Sequence, residues 1–184
     1  RIGSIQAPRG TKVQTCSAVL YGKCLYGGEV HFITNAHFKG MRDVLKASMG
    51  KEVTNRDCQP TLLLHKKGKH DPETARIVRL IRHWIKEYDY FEIPQEYWHS
   101  PAVNPKNGPI HLVKAILDQL EIQTQNAGLW LLNGSMRDIR SSHLAVETVR
   151  DKVLDQRWNK VCNHHTRYQG LQTGLDYEAT HHYH

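Results

Sequence analysis

No stretch of this chain approaches the roughly 18–20 consecutive apolar residues that a bilayer-spanning helix needs, so no membrane span is expected. Cysteine is sparse: Cys16, Cys24, Cys58 and Cys162 lie far apart in a chain of 184 residues. That is not the density of a disulfide-stapled secreted module, and a reducing intracellular compartment is the expectation. The chain contains no internal repeat and no low-complexity block, which sets it apart from repeat arrays and compositionally biased linkers. Helix-turn-helix and zinc-finger spacings are missing as well. A chain that opens on Arg1 with no apolar signal segment behind it suits a processed product, such as a piece of a polyprotein or an imported precursor.

The residues that are present suffice for one domain with a core, since 39% are apolar. Charge is the compositional bias: a formal +7, a pI near 9.3 and 13 histidines whose charge grows as the pH falls towards 6. Such a balance favours polyanionic partners, nucleic acid first among them.

The most informative segment is 71–87. Ile77, Val78, Ile81, Trp84 and Ile85 recur at helical spacing, while Arg76, Arg79, Arg82, His83 and Lys86 share the other side. Asp71 suits the N-cap, Pro72 the first helical position, and Glu73 the positive end of the helix dipole. The pattern predicts a docked helix over 72–87 with a cationic ridge facing outward.

Around it the expected organisation is α+β: an N-terminal β-hairpin or small sheet packed with three or more helices in a single domain. Residues 1–11 read as an extended arm, 12–161 as the core domain, and 162–184 as a polar tail rich in histidine. The hairpin is expected over about 16–34, because Val13, Thr15, Ser17, Val19 and Tyr21 alternate and Gly27-Gly28 marks a turn. A short helix is expected at 41–47 and a short buried strand at Thr61–Leu64. A second major helix is expected from Pro109 to about Glu121, with Val113, Ile116, Leu117 and Leu120 on one face. Leu129–Leu132 reads as a buried run stopped by Asn133-Gly134. A third helix is expected to about Val161, with Val146, Val149, Val153 and Trp158 inward and a mixed-charge outer face that includes Lys152 and Arg157.

Four constellations bear on chemistry. Lys66, Lys67 and Lys69 lead directly into Arg76, Arg79, Arg82 and Lys86, and a basic loop feeding a cationic helix can track a phosphate backbone. Tyr88, Tyr90, Phe91, Tyr97 and Trp98 follow as surfaces on which unpaired bases could stack, which favours RNA over DNA. The expected partner is therefore nucleic acid, with further protein partners if the arm and tail grip an assembly. No cofactor is required for this role.

The second constellation is Phe32-Ile33-Thr34-Asn35-Ala36-His37-Phe38, which resembles the catalytic-histidine segment of chymotrypsin-like proteases of the bacterial and viral branches. The resemblance covers about residues 16–40. It implies His37 as general base, Asp89 as the carboxylate orienting it, and Ser135 as nucleophile. The glycine-flanked nucleophile loop of that family is missing around Ser135.

Third, Cys162-x2-His165 and His181-x2-His184 are two local pairs that could give a tetrahedral zinc site clipping the tail to the third helix. Fourth, Leu62–Asp71 superficially resembles the His-Asp signature of HD phosphohydrolases. There Lys66 stands where that family has an aspartate, and it would repel a divalent cation.

Overall fold

Helix, not sheet, dominates from the first described residues onward. The structure, a computed structural model, describes residues 6–27, 31–49, 58–64, 67–88, 93–99, 104, 106, 108–141, 143–164 and 168. In chain order these form α1 (Arg9–Cys24), α2 (Asn35–Ser48), α3 (Cys58–Leu64), α4 (Pro72–Glu87), α5 (Gln95–His99), α6 (Pro109–Gln119), β1 (Leu129–Leu132), β2 (Ser135–Asp138) and α7 (Leu144–His164). No helix among the described residues is long and apolar enough to cross a membrane.

The expected N-terminal hairpin is corrected: residues 9–24 are α1, 35–48 are α2, and the two-stranded sheet lies at 129–138. The alternation of strand-favouring residues in 13–21 coexists with a helical period, and the helical period is the one that finds a core. Val13, Cys16 and Ser17 are buried, with Leu20 and Tyr21 half-buried behind them, the i, i+3, i+4, i+7, i+8 stripe of one helix face. Thr61–Leu64, expected as a strand, is likewise the end of α3, and Leu62 and Leu63 are both fully buried.

The chain divides into two compact units, and two of the four divisions fall inside α4 and inside α7. The first comprises Arg1–Tyr26, Ile33–Ala75 and Leu154–His184. Its core has three parts. Val13, Cys16, Leu45, Met49 and Leu62 pack between α1, α2 and α3; Leu25, Phe38 and Met41 pack beside them; Leu63, Leu154, Trp158, Val161 and Cys162 pack along the end of α7. The turn before α4 is anchored into this unit. Gly68, at φ +66°, lies so close to Leu154 that an added Cβ would stand 2.3 Å from that side chain.

The second unit comprises Gly27–Phe32 and Arg76–Val153. One cluster forms its core: Leu80, Ile81, Trp84 and Tyr88 of α4, Trp98 of α5, the face of α6 with Leu112, Val113, Ile116, Leu117 and Leu120, Trp130 and Leu132 of β1, and Ala145, Val149 and Val153 of α7. The α6 face and the inward valines at 149 and 153 match the sequence expectation. Asn133 (φ +50°) and Gly134 (φ +78°) form the tight turn that pairs Leu132 with Ser135 and Leu129 with Asp138. Two consecutive left-handed residues suit the right-handed twist of a hairpin, and Asn-Gly tolerates them. Lys152 reaches back to donate to the Leu120 carbonyl (3.0 Å), so one cation closes the C-terminal end of α6.

Candidate functional site

The start of α4 is built as its sequence implies. Asp71 Oδ2 accepts the Thr74 backbone N–H and the Thr74 hydroxyl, each at 2.9 Å, and Pro72 follows the cap at the position where a missing N–H costs nothing. Val78, Leu80, Ile81 and Trp84 are buried, and Arg79, Arg82, His83 and Lys86 are exposed at i, i+3, i+4 and i+7, one stripe along the helix.

Arg76 does not belong to that stripe. It is 6% exposed, and its guanidinium donates to the His31 carbonyl at 3.1 Å. It stands one turn before buried Leu80 and shares that side of the helix, so the neighbouring segment covers it.

Lys67 and Lys69 are exposed on the turn of the first unit, alternating with buried Gly68 and His70. The turn is thus pinned rather than flexible: Gly68 packs on Leu154, and the His70 ring Nδ1 shares a 2.9 Å hydrogen bond with the Ser17 hydroxyl. Lys66 lies outside the described residues.

Charge is unevenly divided. The first unit holds fifteen Lys and Arg against eight Asp and Glu, the whole of the +7, while the second holds ten of each. The exposed cationic stripe of α4 is therefore a local feature of a unit whose net charge is zero.

Of the aromatic residues, Tyr88 and Trp98 are core. Trp84 stacks on both, with ring centroids 6.3 and 5.9 Å away and planes inclined by 27° and 19°. Tyr90, Phe91 and the Tyr97 side chain lie outside the described residues.

The resemblance to chymotrypsin-like proteases loses its structural basis, because the strand that should end at the histidine is a helix start. Thr34 takes the N-cap position of α2, and its hydroxyl lies 2.6 Å from Nδ1 of exposed His37. Thr-Asn-Ala-His is thereby accounted for by a local side-chain hydrogen bond at the start of α2. His37 belongs to the first unit and Ser135, on exposed β2, to the second; Asp89 lies outside the described residues. Of the proposed zinc ligands, Cys162 is fully buried among Leu63, Leu154, Trp158 and Val161, where desolvation pushes its thiol pKa up. That environment disfavours the thiolate a metal needs. His165, His181 and His184 lie outside the described residues, and the described residues contain no cluster of three metal-ligating side chains.

The His70-Asp71 pair resolves into a buried ionic network that sequence reasoning missed apart from the cap. Asp71 is fully buried and accepts from Arg42 Nε and Arg157 Nη2, each at 3.1 Å. Glu73 accepts from Arg42 Nη2 at 2.8 Å and from Arg157 Nη1. Arg157, expected on the outer face of α7, is 5% exposed because these two carboxylates draw it inward. Two cations thus neutralise two anions across α2, α4 and α7. Burial works to lower the Arg42 pKa, but Asp71 and Glu73 outweigh it and leave it raised.

The Tyr21 hydroxyl is buried beside this network, and no described residue hydrogen-bonds it. Desolvation first, then the charge of Asp71, pushes its pKa well up. The folded state therefore keeps a proton that the unfolded chain releases near pH ~10. Stability from this group is complete below that pH and declines above it, by at most about 1.4 kcal/mol per pH unit. Tyr21→Phe is expected to be neutral or stabilising near neutral pH. It should also lose less stability than the wild type between about pH 8 and 11, which urea denaturation at both values measures. An equal alkaline loss in the two proteins would remove Tyr21 as its source.

No protein-family model, curated protein or solved structure matches the chain.

Proposed function

We propose that this protein binds nucleic acid, single-stranded RNA in preference to DNA, and that α4 supplies phosphate contacts through Arg79, Arg82 and Lys86. The observation that carries the reading is the exposed stripe itself: cations one turn apart on a helix whose opposite face is locked into a core. A rigid rod holds such groups at a fixed spacing, so little is lost in ordering them when phosphates bind. His83, exposed on the same stripe, adds positive charge as pH falls. Lys67 and Lys69, on a pinned turn of the unit that carries the net charge, supply a second set of phosphate contacts. Arg76 is excluded from the role by its burial. RNA is favoured because its recognition centres on unpaired bases and the chain has no helix-turn-helix or zinc-finger spacing for reading duplex DNA.

The test is fluorescence anisotropy with a labelled single-stranded RNA across a salt series. Arg79→Glu, Arg82→Glu and Lys86→Glu together should abolish binding near physiological salt. Charge-neutral glutamines at the same positions should lower the log–log salt slope by about two, the share of three phosphate contacts on a single strand. The circular dichroism spectrum should not change, because the three side chains are exposed. Wild-type affinity after the triple reversal would end the proposal for α4. Lys67→Glu with Lys69→Glu measures the turn's contribution separately.

A further inference from the structure

We propose that the cavity at the C-terminal end of α4 holds one unpaired nucleobase of the bound strand, an inference that rests on the nucleic-acid reading above and names what the second unit recognises. The cavity measures about 400 Å³ and is lined by Tyr88, Ile93, Gln95, Trp98, Asn126 and Gly128, among others. That lies at the small end of ligand sites, which run to about 300–1,000 Å³, and suits a single ring system better than a stretch of polymer.

Its walls are rigid. Tyr88 and Trp98 each stack on Trp84. Trp98 is further held by its Nε1–H, which donates to the Thr124 hydroxyl at 3.0 Å. Gly128 lies against the Tyr88 ring, where an added Cβ would stand 2.5–2.6 Å from three of its atoms. A larger residue there would force Tyr88 out of place, so glycine keeps this wall of the cavity in position.

The polar groups suit the edge of a base. Asn126 Oδ1 accepts the backbone N–H groups of Gly128 (2.9 Å) and Leu129 (2.8 Å). With its oxygen engaged twice, the carboxamide is fixed in orientation, and what Asn126 presents to a ligand is the Nδ2–H donor pair. Gln95, exposed on α5, brings a second carboxamide with both donor and acceptor. Apolar ring edges with two amides between them match a planar heterocycle carrying hydrogen-bonding groups on its rim.

The rim suits the attached backbone. Arg140 lies 5.0 Å from the Tyr88 ring centroid, donates from Nε to the Tyr88 hydroxyl at 2.9 Å, and keeps its side chain 51% exposed, with the Asp138 carboxylate 3.9 Å from Nε as its partner on this rim. Lys86, the last cation of the α4 stripe, lies at the same end of α4 as Tyr88, on the exposed rather than the buried side of the helix.

The experiment compares short RNA homopolymers of each base with an abasic ribose-phosphate chain of equal length, in wild type, Asn126→Asp and Gln95→Ala. Asn126→Asp keeps the oxygen that Gly128 and Leu129 require and replaces the donor pair by an acceptor. Wild type should prefer at least one homopolymer over the abasic chain by about tenfold, the usual scale of one well-held base. Asn126→Asp and Gln95→Ala should each shrink that preference severalfold while the turn at 126–129 and α5 stay folded. A preference unchanged in both variants overturns the base site and leaves the phosphate-binding reading intact. If neither polymer binds the wild type, the phosphate reading fails. The cavity is then judged alone by tryptophan quenching with the four free nucleoside 5′-monophosphates: quenching lost in Asn126→Asp upholds it, and no quenching removes it.

Discussion

Asp71→Ala should cost the first unit about 3–5 kcal/mol through stranded guanidinium charge alone. Two arginines, Arg42 and Arg157, converge on this fully buried carboxylate, and both side chains are themselves mostly buried. Removing Asp71 leaves two cations facing Glu73 alone. The same change deletes the N-cap of α4, because Thr74 loses the acceptor for its backbone N–H, and that is worth about 1 kcal/mol more. Asp71→Asn separates the two effects: it keeps a cap acceptor but not the charge, and should recover only the smaller part. Urea denaturation of the full chain, read by far-ultraviolet circular dichroism, measures both variants. An unfolding free energy for Asp71→Ala within about 1 kcal/mol of wild type would mean that the network is not holding α2, α4 and α7 together.

Trp84→Ala should cost the second unit a similar amount, about 3–5 kcal/mol, by a different mechanism. Its indole is 2% exposed and stacks on Tyr88 and Trp98. Its Nε1–H donates to the Ala127 carbonyl at 3.1 Å, an acceptor it shares with Trp130 Nε1. Truncation opens a cavity beside both rings and frees them. The near-ultraviolet circular dichroism should collapse before helix content does, since the rings lose their fixed environment while the helices keep other contacts. Trp84→Phe, which keeps a ring and loses the donor, should cost much less. Equal costs for Phe and Ala would shift the explanation from packing to the hydrogen bond.

How much was legible in advance depended on how local each cause is. The α4 boundaries were readable because Asp71, Pro72 and Glu73 act within one turn, and the inward face followed from spacing. The α6 face was readable for the same reason. The N-terminal segment misled because 13–21 satisfies two periods at once, and only the availability of Leu45, Met49 and Leu62 as packing partners chooses between them. The hairpin at 129–138 carried its Asn-Gly signal, but β2 is an exposed polar strand with no apolar alternation to announce it.

The cationic residues show the division most clearly. Spacing alone assigned Arg79, Arg82, His83 and Lys86 to one exposed stripe, and the structure agrees. It could not tell that Arg76 is buried, since its acceptor is the carbonyl of a residue 45 positions earlier. Nor could it find Arg157, whose carboxylate partner Asp71 is 86 positions away.

What the amino-acid order determined unaided is helix α4, its cap and its polar side, because caps and periodicity are properties of neighbours a few residues apart. What only the tertiary structure decided is which charges are spent inside and which remain in water. A buried ion survives only beside a counter-charge or an acceptor, and long-range folding alone brings such partners within reach.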